Sequence, residues 1–278
     1  MALLYFLGIF VGMLIPIQTS VNSRLSQYTR SSFYASTVSF GVGTLCLIIL
    51  NLIINPHMLT PQFFTEQTFN YHWFVGGLLG VCFLTGNLLL LPRLGAALTV
   101  VITVAGQIIM GVAIDTLGLF GASQQPFTLF KAVGIVLLLI GILLMNQIPK
   151  DKLLRQSHSN LYIWLIVGFI FGCAPPIQTT INSALAKEVH SSFFASLVSF
   201  TIGTIALLIL TLIFHRSLKI NQTHPDLGHI KSIYFVGGIL GMAFVTSNVI
   251  LMPFLGAALT TIVGMLGQML TGEIIDHF

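Results

Sequence analysis

Four pairs of amide side chains recur inside the apolar stretches of this 278-residue chain. The members of each pair are 160 or 161 residues apart, and the pairs are Gln18 and Gln178, Asn22 and Asn182, Asn87 and Asn248, and Gln107 and Gln268. An amide donates and accepts hydrogen bonds but does not titrate. Such residues can bind a polar solute, or they can hold helices together by hydrogen bonds, and the sequence leaves both roles open.

The groups that catalysis requires are not found at the same depth. Membrane hydrolases and transferases need paired carboxylates, a nucleophile with a neighbouring base, or a metal cluster. Asp115, Glu273 and Asp276 lie near the ends of apolar stretches, where a solvated or interfacial carboxylate is the simpler interpretation. Glu273 and Asp276 are three residues apart and could take up a proton or a cation, so these three are the candidate coupling residues. The sequence predicts no enzyme, no cofactor and no metal site.

The composition is that of an integral membrane protein. Hydrophobic residues make up 55% of the chain and charged residues 6%, and the mean hydropathy is +0.97. Such a chain cannot cover itself with polar surface in water, so we expect it in a lipid bilayer. The surplus of Lys and Arg, 11 against 7 Asp and Glu, is small and scattered, which argues against a nucleic-acid partner.

One module occurs twice in the chain. Three motifs recur at a spacing of 160 or 161 residues: PIQTxxNS at 16–23 and 176–183, SSFxASxVSF at 31–40 and 191–200, and LGAALT at 94–99 and 255–260. Glycines spaced by four also recur, as Gly8 and Gly12 and as Gly168 and Gly172, each set followed by a proline that should bend the helix. We therefore predict a first repeat at 1–148, a linker at 149–160 and a second repeat at 161–278.

Nine apolar segments are close to the ~20 residues that a membrane span requires. They are Ala2 to about Leu25, Ser32–Ile54, Tyr71–Leu91, Gly95–Leu117, Phe130–Ile148, Leu161–Ala186, Ser192–Phe214, Ile233–Met252 and Gly256–Asp276. The first repeat thus has five spans and the second has four. The counterpart of Phe130–Ile148 would follow Phe278, and we expect the encoded protein to continue for one more span.

The basic residues predict the orientation. If the spans alternate, one side of the membrane receives nine Lys or Arg residues and the other receives Lys131 and Lys187. The nine are Arg24, Arg30, Arg93, Lys150, Lys152, Arg155, Arg216, Lys219 and Lys231. The positive-inside rule then predicts a cytoplasmic linker and an outside N-terminus. Equivalent loops of the two repeats carry different charges, as expected if a five-span unit is inverted in the second copy.

The paired motifs resemble the YdcZ-like branch of the drug/metabolite transporter superfamily, in its fused two-repeat form. The resemblance covers nearly the whole chain. It implies an all-α membrane protein of two inverted five-helix repeats, located in the bacterial inner membrane and moving small metabolites or drugs. The related small multidrug transporters couple to protons through a first-helix Glu, whereas this chain has Gln18, Thr19 and Asn22 in that region.

These observations predict a carrier that works by alternating access. Gln107 and Gln268 should form a central substrate-binding pair, with Gly111 and Gly272 leaving space for the ligand. Gln18, Asn22 and Asn87 should line a cytoplasmic vestibule, and Gln178, Asn182 and Asn248 an outer one. Neutral amides favour a neutral or zwitterionic solute, or a cation held by aromatic rings, over an anion. A flippase for a lipid-linked substrate is the alternative, and the expected partners are a small-molecule substrate and the bilayer, with a monomer or homodimer left open.

Overall fold

The computed structural model describes residues 2–68, 70–145, 158–216, 218–226 and 228–277. Residues 149–157 of the predicted linker lie outside this part, and so do the side chains of Glu273 and Asp276. The described chain is almost entirely helical. The predicted class, an all-α membrane protein, is confirmed.

Ten α-helices make up the described fold. They are α1 (Ala2–Gly12), α2 (Leu14–Thr29), α3 (Ser32–Ile54), α4 (Pro61–Glu66), α5 (Val75–Leu117), α6 (Leu129–Met145), α7 (His158–Gly172), α8 (Ala174–Glu188), α9 (Ser192–Phe214) and α10 (Gly237–His277). Short 3-10 turns occupy Pro56–Leu59, Tyr71–Phe74, Leu119–Gly121 and Ser232–Phe235. Two short strands, β1 (Thr223–His224) and β2 (Gly228–His229), pair antiparallel in the loop after α9.

Seven helical segments of the described chain are long and apolar enough to cross a membrane. The last of them, Ser232–Gly272, is 41 residues long and is interrupted at Gly256, which has a φ of 79°. Gly95 interrupts α5 in the same way, with a φ of 76°. Positive φ is accessible to glycine without steric cost, so glycine suits both breaks. The number of nine spans stays a prediction, because α6 is 17 residues long and the break at Gly256 divides one long segment.

A second type of break follows from proline. In a continuous helix the N–H of residue 16 would bond to the carbonyl of Gly12, but Pro16 has no N–H. The helix accordingly ends at Gly12, and α2 begins at Leu14. In the second copy, α7 ends at Gly172 and α8 begins at Ala174. Pro176 likewise lacks the N–H that would bond to the carbonyl of Gly172. Each helix is thus interrupted where a bend was predicted, and the bends themselves stay a prediction.

Each first helix packs against the other copy, at glycine. α1 packs along α10, and α7 packs along α5. A Cβ added at Gly12 would overlap the carbonyl oxygen of Gly264, and one at Gly172 would overlap that of Thr103. Positions 103 and 264 correspond in the repeat. The close approach predicted from the glycine spacing is confirmed, and the structure adds that the partner helix belongs to the opposite copy.

α3 and α9, which carry the same motif, run antiparallel along each other. Thr37 shares a hydroxyl hydrogen bond with Thr211 at 2.8 Å, and Thr44 shares one with Thr204 at 2.9 Å. Residue numbers therefore rise along one helix as they fall along the other. An inverted duplication requires this relation between equivalent spans.

Each long loop covers the short turn of the other copy. Phe63, in the loop after α3, packs against Phe194 beside the turn between α8 and α9. In the loop after α9, the N–H of Asn221 donates to the carbonyl of Tyr28 at 3.1 Å. The α2 to α3 turn and the loop after α9 therefore lie at the same end of the molecule, together with the basic residues that both carry.

Candidate functional site

A cavity of about 230 Å³ lies between the two copies, beside α3 and α9. Most of its lining comes from residues at equivalent positions of the repeat. The seven pairs are Ile15 and Pro175, Gln18 and Gln178, Phe40 and Phe200, Gly80 and Gly241, Phe83 and Phe244, Leu84 and Val245, and Gln107 and Gln268. Because each pair has one member in each copy, the cavity is built where the copies meet.

Helix breaks and glycines position two of the four glutamines. Gln18 and Gln178 lie on α2 and α8, shortly after the proline-induced breaks. A Cβ at Gly241 would come within 2.5 Å of Gln18 Nε2, and one at Gly80 within 3.0 Å of Gln178 Nε2. Glycine thus leaves the room that these amides occupy. Gln178 Nε2 also donates to the Oγ of Ser199 at 3.4 Å.

The predicted layers differ from this arrangement. Gln18 and Gln178 were expected in separate vestibules, yet they line the same cavity as Gln107 and Gln268. Asn248, which is 9% exposed, lines it too. Counting residues from the end of a span treats a helix as a straight rod, whereas the first helix of each copy is broken by proline.

The other three predicted binding residues lie outside the cavity lining. Asn22 packs against Gly237, and Asn182 packs against Gly76, the equivalent glycine. Asn182 is completely buried, and neither of its amide atoms has a hydrogen-bond partner among the described residues. Asn87 is half-buried and is not part of the lining either. The structure therefore brings five of the eight predicted residues together.

Aromatic rings form the apolar part of the cavity. Phe40 and Phe200 stack with their centroids 4.9 Å apart and their planes at 25°. Phe83 and Phe244 add a second duplicated pair. Among the described residues, none of those lining the cavity carries a charge. Amides and phenyl rings together can hold a solute that has both polar and apolar parts.

The cavity is not symmetric. Thr179, Asn248, Thr260, Thr261 and Gly264 line it from the second copy, and their counterparts in the first copy do not. Thr260 is 3% exposed, and its hydroxyl oxygen is buried without a partner in the described part of the chain. A buried hydroxyl without a partner is unfavourable, so a bound ligand or water would stabilise it.

The equivalent helices α2 and α8, which lie at different ends of the cavity, are packed differently. α8 packs against both α5 and α10, whereas α2 packs against α10 and has no comparable packing with α5 in the described chain. Thr180 and Ser183 of α8 are consequently buried, but the equivalent Ser20 and Ser23 of α2 are exposed. We name the end of the cavity beside α8 the α8 end, which is covered. We name the end beside α2 the α2 end, where a polar face is exposed.

Asp115 is buried at the α8 end. Asp115 was expected to be a solvated or interfacial carboxylate; the solvated alternative is wrong, because only 2% of the residue is exposed. Its carboxylate accepts the backbone N–H of Ala257 at 2.6 Å and that of Ala258 at 3.0 Å, so it joins α5 to the segment of α10 after Gly256. Its role as a coupling residue stays a prediction, as do those of Glu273 and Asp276.

The space expected beside Gly111 is occupied by protein. A Cβ at Gly111 would lie 3.0 Å from the Cα of Ala258, so this glycine accommodates the close approach of α10. The expectation that Gly111 leaves room for a ligand is therefore wrong. Its counterpart Gly272 has no described atom within 4 Å of such a Cβ.

Sequence reasoning missed the aromatic and glycine members of the cavity. Phe40 and Phe200 stand inside a motif that recurs in both copies, and so do Gly80 and Gly241. The constant spacing was therefore a signal for them. Only polar residues were proposed as ligand contacts, because a phenylalanine in a membrane helix is usually a packing residue.

The fold and the cavity define the class of this protein. Apolar spanning helices surround an uncharged central cavity whose walls come from two copies of one module, as in a membrane transporter. The chain belongs to the family described as "Putative inner membrane exporter, YdcZ", whose model matches residues 3–144 and 163–278. It is a multi-pass inner membrane protein of the drug/metabolite transporter type. No curated protein matches the chain.

Proposed function

We propose that this protein is a carrier for a small neutral or zwitterionic solute with an apolar part, which it moves across the inner membrane by alternating access. The observation that carries the proposal is the central cavity with its four glutamine amides, its four phenylalanine rings and no charged residue among those that line it. Amides donate and accept, so they suit a solute with both kinds of polar group. A bare anion would require Arg or Lys there.

The size of the cavity limits the solute. At about 230 Å³ it is below the roughly 300–1,000 Å³ of drug-sized ligand sites. A small metabolite therefore fits better than a large drug. A cation with an apolar body would also be compatible, because aromatic faces attract positive charge.

The difference between the two ends supports alternating access. Equivalent helices α2 and α8 are in different environments, one with an exposed polar face and one covered by both α5 and α10. Exchanging these environments would expose the α8 end and cover the α2 end, while the glutamines stay accessible in both states. The α2 end carries Arg24 and Arg30, which belong to the side predicted to be cytoplasmic.

A ligand screen is the first test. Purified protein is heated in the presence of a library of small metabolites, and compounds that bind the folded state raise the unfolding temperature. We expect the hits to be neutral or zwitterionic. A set of hits made up of anions would refute the proposed chemistry of the cavity.

Gln107→Leu and Gln268→Leu then test the site itself. Each should weaken binding of an identified ligand by about 2- to 13-fold per lost hydrogen bond, with little effect on the unfolding temperature without ligand. Gln62→Leu, at an exposed glutamine of the short helix α4, is the matched control. If both cavity variants bind and transport normally, the glutamines are not the binding residues. Counterflow of the ligand in proteoliposomes supports the carrier, and scrambling of a labelled lipid would favour the flippase.

A further inference from the structure

A buried carboxylate links the two copies at the α8 end of the cavity. Asp115 lies near the end of α5, in the first copy, and accepts hydrogen bonds from two successive backbone N–H groups of α10 in the second copy. The Oδ1 to nitrogen distance is 2.6 Å for Ala257, and the Oδ2 to nitrogen distance is 3.0 Å for Ala258. None of these three residues lines the central cavity.

The two N–H groups are available because α10 is broken at Gly256. The first N–H groups after a helix start have no partner within the helix, and a carboxylate placed there also interacts favourably with the helix dipole. Hydrogen bonds to an ionised acceptor are stronger than those between neutral groups. A Cβ at Gly256 would lie 2.9 Å from each carboxylate oxygen, so the approach of Asp115 depends on glycine at the break.

An apolar cluster, which we name the seal, lies directly beside this contact at the α8 end. Ile114, Met252 and Ala257 are buried together, with Ile177 packed against them. These residues come from α5, α10 and α8. Ile177 precedes Gln178 of the cavity, and Met252 lies one helical turn beyond Asn248. The seal therefore adjoins the cavity lining on α8 and α10.

Two of the equivalent residues in the first copy are exposed. Leu91 corresponds to Met252 and is 50% exposed, whereas Met252 is 5% exposed. Ile17 corresponds to Ile177 and is 41% exposed. At these two described positions, apolar residues that pack together at the α8 end are exposed in the other copy.

We propose that Asp115 is the latch of this seal: its two hydrogen bonds hold the broken helix α10 against α5 and keep the α8 end closed. The inference rests on the proposed carrier function, because a seal has a purpose only where a solute must cross. Asp115 is a positioning residue, since it acts through α10 and does not touch the cavity. Opening the α8 end requires both hydrogen bonds to break, so the latch sets how often that end opens.

Accessibility of a cavity position from each side tests the latch. Cys46, Cys82 and Cys173 are replaced by alanine, and Thr179→Cys places a reporter thiol in the cavity lining. The reporter is labelled with the membrane-impermeant trimethylammonium-ethyl methanethiosulfonate in right-side-out and in inside-out vesicles. Asp115→Asn keeps the shape of the side chain but loses the charge and one acceptor. We expect it to raise the labelling rate roughly 10-fold or more in one vesicle orientation only.

The controls separate a latch from a general loosening of the fold. Asp226→Asn, in an exposed loop, should leave both rates unchanged. If Asp115→Asn does not give a monodisperse protein, Asp115→Glu decides, because it keeps the charge and should give a smaller rise in the same orientation. Unchanged rates in both orientations, or an equal rise in both, would overturn the latch. The assay contains no solute, so its outcome is independent of whether the proposed ligand class is right.

Discussion

Replacing Gly267 with alanine should destabilise the protein, because this glycine holds the two copies together. A Cβ at Gly267 would overlap the carbonyl oxygen of Ile9 and lie 2.9 Å from its carbonyl carbon and from the Met13 nitrogen. These atoms are backbone, which cannot rotate away, so α1 would have to move off α10. Gly106 is the equivalent residue, and its Cβ would overlap the carbonyl oxygen of Phe169. The two substitutions should therefore have similar effects.

The magnitude follows from two opposing terms. Glycine to alanine in a helix interior is worth about 1 kcal/mol of stabilisation by helix propensity. Overpacking costs typically about 1–3 kcal/mol and more where the neighbour is rigid. The overlapped atoms are rigid backbone, so we take the upper value of about 3 kcal/mol for overpacking, and a net loss of about 2 kcal/mol remains at Gly267. A loss of that size lowers the unfolding temperature by about 4–8 °C in a domain of 150–250 residues.

Gly134→Ala in α6 is the matched control. No described atom lies within 4 Å of a Cβ at this position, so only the favourable propensity term applies. The measurement is thermal unfolding of each variant in the same detergent, followed by the monodisperse fraction on gel filtration. The reasoning is refuted if Gly267→Ala is as stable as Gly134→Ala, since that would mean that the crossed packing of α1 on α10 is absent or easily relaxed.

Three further predictions concern function. With the native cysteines removed, Ser157→Cys in the predicted cytoplasmic linker should react with an impermeant thiol reagent in lysed cells and not in intact cells, and strong labelling of intact cells would reverse the orientation. Thr260→Val should weaken binding of an identified ligand by about 2- to 13-fold. Thr99→Val makes the same change at the equivalent buried hydroxyl outside the cavity and should leave the affinity unchanged. Equal effects at both positions would contradict the asymmetric site. If transport is coupled to protons through the end of α10, the double variant Glu273→Gln and Asp276→Asn should abolish solute accumulation driven by a pH gradient but not counterflow. Unchanged accumulation of the solute would exclude that route.

The repeat was readable from the sequence because it leaves identical motifs at fixed spacing. The helices were readable because a span needs a long apolar run, and the breaks because Pro16 and Pro176 lack the N–H that a continuous helix uses. Each of these signals is local. They establish which segments form helices and where those helices bend.

The packing partners were not readable, because they are set by contacts between residues far apart in the chain. The spacing of Gly8 and Gly12 predicts that some helix approaches closely, but nothing local identifies Gly264 of the other copy as the neighbour. Asp115 presents the same difficulty. Its position near a span end suggested water, whereas tertiary packing places the N–H groups of Ala257 and Ala258 there.

The role of the glutamines could be predicted only in part from the sequence. Their types and their duplication predicted a polar site shared by the copies, and all four line one cavity. Gln18 and Gln178 were expected in separate vestibules, but they line the same cavity as Gln107 and Gln268. The asparagines Asn22 and Asn182 recur just as regularly, yet they pack against glycines of the opposite copy. Duplication alone therefore cannot separate a ligand contact from an interhelical contact.

Equivalent residues in different environments give the strongest physical reason to expect two states. Met252 and Leu91 occupy the same position of the repeat, one in the seal and the other exposed. Both are large and apolar, so either could form a seal, and the free-energy difference between the two arrangements does not depend strongly on their chemistry. In the described chain the α8 end is held by the carboxylate of Asp115, and the energy of those two hydrogen bonds must be supplied each time that end opens. A solute that binds the glutamines more tightly in the opened state would supply it, since a ligand shifts an equilibrium only by its differential affinity for the two states.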